Sequence, residues 1–212
     1  MYRLKGFLSK LFRVKEGKLS AGDSNIFSSL RKGMISIDCG ANVGKVTHMM
    51  ASTGAKVYAF EPNPFAFKVL QERFSGQSNV ECINKGVWDK DSSFNLYFHE
   101  NSDQDEVTWS TGSSMLEFKN NVDRKKFVSI ETVDLAAFIR GLRHRIAILK
   151  IDVEGVEIEI INKLIDTGVI HMIDRVYVET HDHKIPELKA STDALRERIS
   201  REGLNHVNLN WI

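Results

Sequence analysis

Three charged residues, Lys150, Asp152 and Glu154, occupy alternate positions at the end of an apolar run in ILKIDVEGVEIEII. Alternate residues of a β-strand point to the same side, so a continued extended path would bring the three side chains together. A carboxylate beside an acceptor hydroxyl can take its proton during group transfer. An ion network in which Lys150 neutralises a carboxylate would produce the same pattern, so the spacing alone leaves a catalytic and a structural interpretation open.

A second polar group follows a later apolar run, in VETHDHK, and contains Glu179, His181, Asp182 and His183. Two histidines with two acids could bind a divalent metal, but a solvated polar rim is the commoner origin of such a sequence. We therefore predict no metal site. An imidazole titrates near neutral pH, which makes His181 the preferred candidate either for a general base or for a residue that supports the groups in contact with the substrate.

A glycine turn joins a predicted strand to a predicted helix in ISIDCGANVGKVT. In open α/β sheets such turns form the floor of the ligand site. The turn has Gly40 and Gly44, but Asn42 stands where a dinucleotide-binding motif has its second glycine, and Asp38 adds a negative charge. This combination disfavours a pyrophosphate and suits a ligand with a cationic amino group, such as S-adenosylmethionine.

Glu61 ends the second predicted strand, 21 residues after Gly40. Its carboxylate could accept hydrogen bonds from both hydroxyls of a ribose. Dinucleotide-binding folds use an acid at the same spacing, so an NAD-dependent oxidoreductase is an alternative interpretation, although Asn42 and the missing third glycine count against it. A non-catalytic Rossmann-like binding module is a further alternative.

Short apolar runs alternate with helical patterns from Met34 onward, which indicates parallel strands joined by crossover helices. The predicted fold is α/β, with a Rossmann-like, doubly wound and mostly parallel sheet in the order 3-2-1-4-5. The predicted strands are residues 34–39, 56–61, 79–84, 146–152 and 175–180. The predicted helices are residues 44–53, 64–74, 157–167 and 186–201.

Two segments depart from this alternation. FNLYFHE and KKFVSIE each alternate apolar and polar residues, which predicts an inserted antiparallel strand pair around a polar loop over residues 101–126. Within this loop Trp109, Ser113, Ser114 and Met115 could close over a ligand, or the loop could be a mobile surface segment. NHVNLNWI predicts a sixth strand, and an open sheet edge there would allow pairing with a second copy of the chain.

Composition narrows the class of protein. The chain has 212 residues, 42% of them hydrophobic, which predicts one domain over residues 34–212 behind a lead-in over residues 1–33. A net charge of +1 is too small for the basic field of a nucleic-acid binder. No apolar run approaches about 18 residues, so we expect no stable membrane insertion and a cytoplasmic location.

The lead-in contains an amphipathic helical pattern that we expect to pack against the domain or a partner subunit. Its apolar face consists of Leu4, Phe7, Leu8 and Leu11.

Taken together, DCGANVG, FEPNP, NVECINKGVWD, SSM and LKIDVEGVEIEII resemble successive motifs of the FkbM-type S-adenosylmethionine-dependent methyltransferases. The resemblance covers about residues 34–180, and its most specific element is K-x-D-x-E-G-x-E. It implies a class I methyltransferase fold, S-adenosylmethionine as the cofactor, and O-methylation of a hydroxyl on a sugar or secondary metabolite. Its motifs add Pro62 and Asn84 to the expected cofactor site. After the third strand, where the family commonly has alanine and a small residue, this chain has Gly86 and Trp88, which we expect at the adenine edge of the same site.

These expectations give the charged residues separate roles. We place Asp152 at the methyl-transfer centre with His181 as the base. We expect Glu154 to orient the turn after the fourth strand and Lys150 to complete the catalytic group. The acceptor is expected to be a small molecule with a hydroxyl group.

Overall fold

A computed structural model of the protein describes residues 26–99 and 122–211. The predicted N-terminal helix and the predicted lid residues Trp109, Ser113, Ser114 and Met115 lie outside these ranges. No helix within them is long and apolar enough to span a bilayer.

Nine strands and five α-helices follow one another along the described chain. The strands are β1 (Ile35–Cys39), β2 (Lys56–Phe60), β3 (Val80–Ile83), β4 (Gly86–Trp88), β5 (Ser92–His99), β6 (Val122–Asp134), β7 (Ile146–Ile151), β8 (Val176–Val178) and β9 (Val207–Asn208). The helices are α1 (Lys45–Ser52), α2 (Pro64–Arg73), α3 (Leu135–Leu142), α4 (Glu157–Asp166) and α5 (Lys189–Arg201), with short 3₁₀ turns at Phe27–Ser29, Val169–Met172 and Pro186–Leu188.

The main sheet has six parallel strands in the order β3-β2-β1-β7-β8-β9. The predicted α/β fold and the predicted order of its first five strands are confirmed. Cys39 on β1 and Cys82 on β3 are free thiols with β2 between them. The strands of a parallel sheet are buried on both faces, which explains why the strands of the main sheet appear in the sequence as continuous apolar runs.

Helices cover both faces of the main sheet. On one face, Ile37, Leu149 and Ile151 pack with residues of α3, α4 and α5 in the largest core cluster. On the other face, Val57 and Ile148 pack with residues of α1 and with the segment before β1. The sheet is therefore the middle layer of three, and its carboxyl edge stays open between the helix layers.

Helix starts agree with local capping chemistry. The Asn63 side chain accepts from the backbone N–H of Phe65 at 2.9 Å, directly before Pro64 at the first helical position of α2. Helix α3 was not among the predicted helices, although Asp134 caps it by accepting from Ala137 N–H at 2.8 Å. The predicted helix over residues 186–201 begins as a 3₁₀ turn, and its α-helical part starts at Lys189.

A second, three-stranded sheet has the order β4-β6-β5. Strand β5 is antiparallel to β6, which confirms the inserted pair, and β4 is parallel to β6. The predicted loop over residues 101–126 is wrong at its end, because β6 already begins at Val122. Strand β4 was not predicted separately; it follows β3 after two residues and brings Gly86 and Val87 to the carboxyl edge of the main sheet.

The ends of β1 and β7 approach each other very closely at Gly40. Its φ angle is +77°, and a Cβ placed there would lie 1.8 Å from the carbonyl oxygen of Asp152. The backbone N–H of Asp152 donates to the Cys39 carbonyl at 3.1 Å. Only glycine fits at this position, because any side chain would force the two strand ends apart.

We expect the Gly40→Ala substitution to destabilise the fold strongly. Displaced packing costs about 1–3 kcal/mol, and the left-handed backbone adds about 1–2 kcal/mol. Gly76→Ala is the matched control, since Gly76 has φ +86° and a Cβ added there would have no atom within 4 Å, so it carries only the second cost. Urea denaturation measures both free energies of unfolding, and equal losses in the two variants would contradict the close approach.

Candidate active site

A cavity of about 330 Å³ opens at the carboxyl edge of the main sheet. In α/β sheets this edge is where ligands bind. Its walls come from the turn after β1, the end of β2, the start of β4, strand β5, the turn after β7 and the segment after β8. The lining residues are Gly40, Asn42, Phe60, Glu61, Pro62, Asn63, Lys85, Gly86, Val87, Leu96, Asp152, Val153, Glu154, Glu179 and Lys184.

The floor of the cavity is the glycine turn after β1. Asn42 lies in the left-handed region with φ 49°, a conformation that asparagine tolerates better than most residues. Its side-chain oxygen accepts from the Val43 N–H at 2.7 Å, and its own N–H donates to Glu61 Oε2 at 2.7 Å. The turn therefore fixes the position of the acid that ends β2.

Glu61 is buried in the cavity wall with 5% of its surface exposed. Its Oε2 accepts from Asn42 N–H at 2.7 Å, and its Oε1 accepts from Asn63 N–H at 2.8 Å. Burial raises the pKa of Glu61 to about 7, although these two N–H groups and Lys150 favour the charged form. Each carboxylate oxygen can accept one further hydrogen bond from a ligand in the cavity.

Asn84 supports the segment that carries Glu61. Its side-chain amide donates to the carbonyl oxygens of Glu61 at 2.8 Å and Pro62 at 3.2 Å. Pro62 itself lines the cavity, whereas Asn84 is not among the lining residues. The contribution of Asn84 to the expected cofactor site is therefore to hold the backbone after β2.

Lys150 lies buried between the ends of β1 and β7. Its Nζ is 3.2 Å from Asp38 Oδ1 and 3.4 Å from Asp152 Oδ2. The same nitrogen donates to the carbonyl oxygens of Cys39 at 3.3 Å and Gly40 at 2.9 Å. Burial opposes the charge of Lys150, but Asp38 and Asp152 outweigh it and raise the pKa of the ammonium group. Lys150 is therefore a cationic clamp between strand ends.

Asp38 and Lys150, which were expected in the cofactor site and the catalytic group, pair with each other beneath the cavity. Asp38 is fully buried, its Oδ2 accepts from the Thr47 hydroxyl at 2.6 Å, and its Oδ1 faces Lys150. Neither Asp38 nor Lys150 lines the cavity. Asp38 therefore neutralises the lysine below the floor, because both groups would be too costly to bury without a partner.

Two other expected cofactor residues also pack away from the cavity. A Cβ at Gly44 would lie 2.4 Å from the ring of Phe74 and 2.7 Å from Leu70, so this glycine admits close packing of α2. Trp88 contacts Phe94 edge to face, with ring centroids 4.4 Å apart. Neither residue lines the cavity, whereas the expected residue Gly86 does.

The turn after β7 carries the acids of K-x-D-x-E-G-x-E. Strand β7 ends at Ile151, and Glu154 has a left-handed backbone with φ 61°, followed by Gly155 with φ 131°. The predicted convergence of Asp152 and Glu154 is confirmed, but the expected cause, a continued extended strand, is wrong. A left-handed turn at a non-glycine residue costs about 1–3 kcal/mol and is typical of functional sites.

His181 lies beneath this turn with 1% of its surface exposed. Its Nδ1 is 2.9 Å from Glu157 Oε1, which also accepts from the N–H groups of Val153 at 3.2 Å and Gly155 at 3.0 Å. Since Glu157 is itself buried, these contacts fix the imidazole ring in one orientation.

The other ring nitrogen of His181 faces three carboxylates. Nε2 is 3.3 Å from Glu154 Oε2, 3.6 Å from Glu179 Oε1 and 3.7 Å from Asp152 Oδ1. Burial opposes protonation of the ring, but the Glu157 hydrogen bond and the surrounding carboxylates outweigh it and raise the pKa of His181. The ring does not line the cavity, a position different from the one expected of a base that contacts the acceptor.

Two lysines at the rim are not among the predicted site residues. Lys85 pairs with Glu131 at 2.7 Å, and Lys184 pairs with Glu179 at 3.1 Å.

Asp182, which the sequence groups with His181, lies elsewhere and faces Arg196 at 3.3 Å. The apolar wall formed by Phe60, Val87 and Leu96 was also missed, because these residues read only as strand residues in the sequence.

Comparison with known proteins bears on this site. A model of the methyltransferase FkbM domain matches residues 38–205, which include every element around the cavity. A crystal structure of methyltransferase FkbM from Methylobacillus flagellatus KT is similar with 14% identity and a TM-score of 0.45, over 70% of this chain and 32% of that chain. No match was found among curated proteins.

We expect the Glu61 carboxyl group to titrate near pH 7 in the folded chain, against 4.5 when exposed. Between these values the folded state holds a proton that the unfolded state has lost, so this group lowers the free energy of unfolding as pH rises. Glutamine does not titrate in this range. As pH rises from 5 to 8, the free energy of unfolding of Glu61→Gln should therefore increase by up to roughly 3 kcal/mol relative to that of the parent chain.

Carbon-13 NMR of the glutamate carboxyl carbons, with Glu61→Gln to identify the signal, measures the titration directly. A midpoint below pH 5 would contradict the dominance of burial at Glu61. Urea denaturation of both chains at the two pH values measures the change in stability.

Proposed function

This chain belongs to the FkbM methyltransferase domain family, and we propose that it transfers the methyl group of S-adenosylmethionine to a hydroxyl of a small carbohydrate or secondary metabolite. One observation carries the proposal. Glu61, held by two backbone N–H groups, presents a buried carboxylate to a cavity at the carboxyl ends of parallel strands. That placement suits the two hydroxyls of a ribose.

The cavity walls fit the remaining parts of S-adenosylmethionine. Phe60, Val87 and Leu96 offer an apolar surface suited to a purine ring. Asp152 and Glu154 add negative charge, which suits the sulfonium and the amino group of the cofactor. A volume of about 330 Å³ lies at the lower end of the range for small-molecule pockets.

The same geometry disfavours the alternative of an NAD-dependent oxidoreductase. A pyrophosphate-binding turn uses its glycines to let the backbone approach the phosphates. Here the space beside Gly40 is filled by the carbonyl oxygen of Asp152, and the Asn42 side chain occupies the middle of the turn. A thermal-shift comparison separates the two functions, since stabilisation by NAD and not by S-adenosylmethionine would favour the oxidoreductase.

Bound S-adenosylmethionine supplies an electrophilic methyl group for in-line displacement. The chain must align the acceptor oxygen and accept its proton as the new bond forms. Asp152 lines the cavity with 28% of its side chain exposed, and Lys150 holds it at 3.4 Å. We therefore assign the contact with the acceptor hydroxyl to Asp152. His181 lies behind Asp152 and supports its position.

At pH 8, where Glu61 with a pKa of about 7 is mostly ionised, Glu61→Ala should weaken S-adenosylmethionine binding by about 1.5–3 kcal/mol, because hydrogen bonds to a charged acceptor are lost. Calorimetric titration of the folded variant measures this, with the exposed residue Glu72 changed to alanine as a matched control. Glu61→Gln keeps the size of the side chain and separates lost charge from lost packing. Unchanged affinity in both Glu61 variants would place the cofactor elsewhere.

Asp152→Asn should lower turnover by about 10²–10⁴-fold, the usual contribution of a group that assists proton transfer. S-adenosylmethionine affinity should change much less, because the loss concerns the acceptor. The readout is S-adenosylhomocysteine formed with a panel of hydroxyl acceptors, and Glu159→Gln, an exposed acid on α4, is the control. If the parent chain binds the cofactor and an active acceptor is methylated equally by both variants, Asp152 is not the contact residue.

A further inference from the structure

The group formed by Asp152, Glu154 and His181 has a geometry that the methyl-transfer proposal does not use. One oxygen from each acid and one ring nitrogen of the histidine all lie within 4.8 Å of one another. The two acids line the cavity, while the histidine lies buried behind them. The three atoms are therefore close enough together to contact one small positively charged species at the edge of the cavity.

His181 is the decisive member of this group. Among the residues that the structure describes, its Nε2 has no hydrogen-bond partner, although the ring is 1% exposed. Oε1 of Glu157 already accepts two backbone N–H groups, so it acts as an acceptor and Nδ1 carries the hydrogen of that contact. In a neutral ring, Nε2 then directs a lone pair at carboxylate oxygens, which is unfavourable unless a cation lies between them.

The distances around Nε2 suit a shared cation better than direct hydrogen bonds. Nε2 is 3.3 Å from Glu154 and 3.7 Å from Asp152. Neighbouring ligands of an octahedral cation with bonds of about 2.2 Å lie about 3.1 Å apart. The two distances from Nε2 exceed this spacing by about 0.2 and 0.6 Å, so a small contraction around Nε2 would bring the ring nitrogen to ligand spacing from each acid.

The surroundings hold these ligands in position without a metal. Glu157 anchors the imidazole through its other nitrogen, as a carboxylate commonly does behind a metal-binding histidine. The left-handed backbone at Glu154, with φ 61°, belongs to the turn that places this acid beside the histidine. The turn is strained for a non-glycine residue, and binding of a cation by the acid it positions would compensate for that strain.

The local charge also favours a cation. Asp152, Glu154, Glu157 and Glu179 surround the imidazole, and Lys184 pairs with one of them, Glu179. Lys150 is shared between Asp152 and Asp38. The carboxylates that face Nε2 therefore create a local field that favours a positive charge between them.

We propose that Asp152, Glu154 and His181 bind a divalent cation whose remaining positions open into the cavity. Two carboxylates with one imidazole suit an ion such as Mn²⁺, which accepts oxygen and nitrogen ligands. If the proposed methyl transfer is correct, this ion binds the acceptor hydroxyl beside Asp152 and lowers the pKa of the hydroxyl, and Asp152 still accepts the proton as the methyl group is transferred. Acceptors with a second oxygen next to the reacting hydroxyl, as in sugars, then fit best because they can chelate. This proposal departs from the sequence-based prediction of no metal site.

The competing explanation is a doubly protonated imidazole. Such a ring would donate to Glu157 through Nδ1 and point its second proton at Glu154, at 3.3 Å. The proton would then occupy the place of the metal, and the cluster would be a self-contained ion network. The two explanations differ in whether nitrogen coordinates an added ion.

The test uses the full chain, dialysed against EDTA and titrated with Mn²⁺ at neutral pH. Loss of the free Mn²⁺ signal in electron paramagnetic resonance measures binding, and we expect one equivalent per chain. Electron spin-echo envelope modulation of the bound ion should show ¹⁴N coupling from His181. This second readout needs no variant, so it holds even where substitution of the buried histidine prevents folding.

Variants identify the ligands. Asp152→Asn should weaken Mn²⁺ binding at least tenfold, and Glu157→Gln, which changes the residue behind the histidine, by about 10–100-fold. Glu159→Gln removes the same charge at an exposed position of α4 and should leave the affinity unchanged. Absence of stoichiometric binding, absence of ¹⁴N coupling, or equal affinities in all these chains would overturn the site.

Failure of the metal site and failure of the proposed function give different results. Mn²⁺ binding with ¹⁴N coupling, in a chain that does not bind S-adenosylmethionine in calorimetry, supports the site and rejects the proposed function. Methylation of an acceptor at full rate by the EDTA-treated chain rejects the metal's role in catalysis and leaves methyl transfer standing. A rate that falls at least tenfold after EDTA and returns with Mn²⁺ supports both.

Discussion

The buried ammonium group of Lys150 holds together the two strand ends from which the site is built. Its Nζ lies between Asp38 at the end of β1 and Asp152 just after β7, and it also binds the carbonyl oxygens of Cys39 and Gly40. A buried lysine is stable only when opposite charge and acceptors surround it. Replacing Lys150 with a neutral residue would leave the buried carboxylate of Asp38 without its charged partner, close to the partly exposed carboxylate of Asp152. This ion pair therefore constrains the ends of both strands.

The position of the cavity follows from this clamp. With β1 and β7 drawn together, the Asp152 carbonyl fills the space beside Gly40, and the chain must turn away through a left-handed backbone. That turn sends the Asn42 N–H to Glu61, which fixes the acid at the end of β2. The carboxylate is then too enclosed to be solvated freely, and its pKa rises to about 7. Burial of Glu61 in the wall therefore raises its pKa, although the charge of Lys150 below the floor acts in the opposite direction.

The sequence was sufficient for features that depend on local pattern. Apolar runs and capping residues gave the parallel strands, most helices and the position of Glu61 after β2. Features that depend on tertiary contact were not accessible, because alternation along a strand indicates a face but not what covers it. The sequence therefore predicts Lys150 and Asp38 as site residues, although they pair below the cavity floor. Nothing in VETHDHK indicates that the turn after β7 buries His181. The small strand β4 was too short for a pattern.

The acids around His181 show why fold and chemistry are coupled in this chain. The clamp lysine neutralises Asp38 and part of Asp152, and Lys184 neutralises Glu179, but the imidazole nitrogen that faces Glu154 has no hydrogen-bond partner among the described residues. A buried cluster of this kind is stable only if a proton, a metal ion or a cationic ligand completes its charge balance. The solvent supplies the proton, whereas a metal ion or a sulfonium must bind as a separate ligand. Exchange of a proton at Nε2 for a positively charged ligand would couple binding to the stability of the turn that carries Asp152 and Glu154.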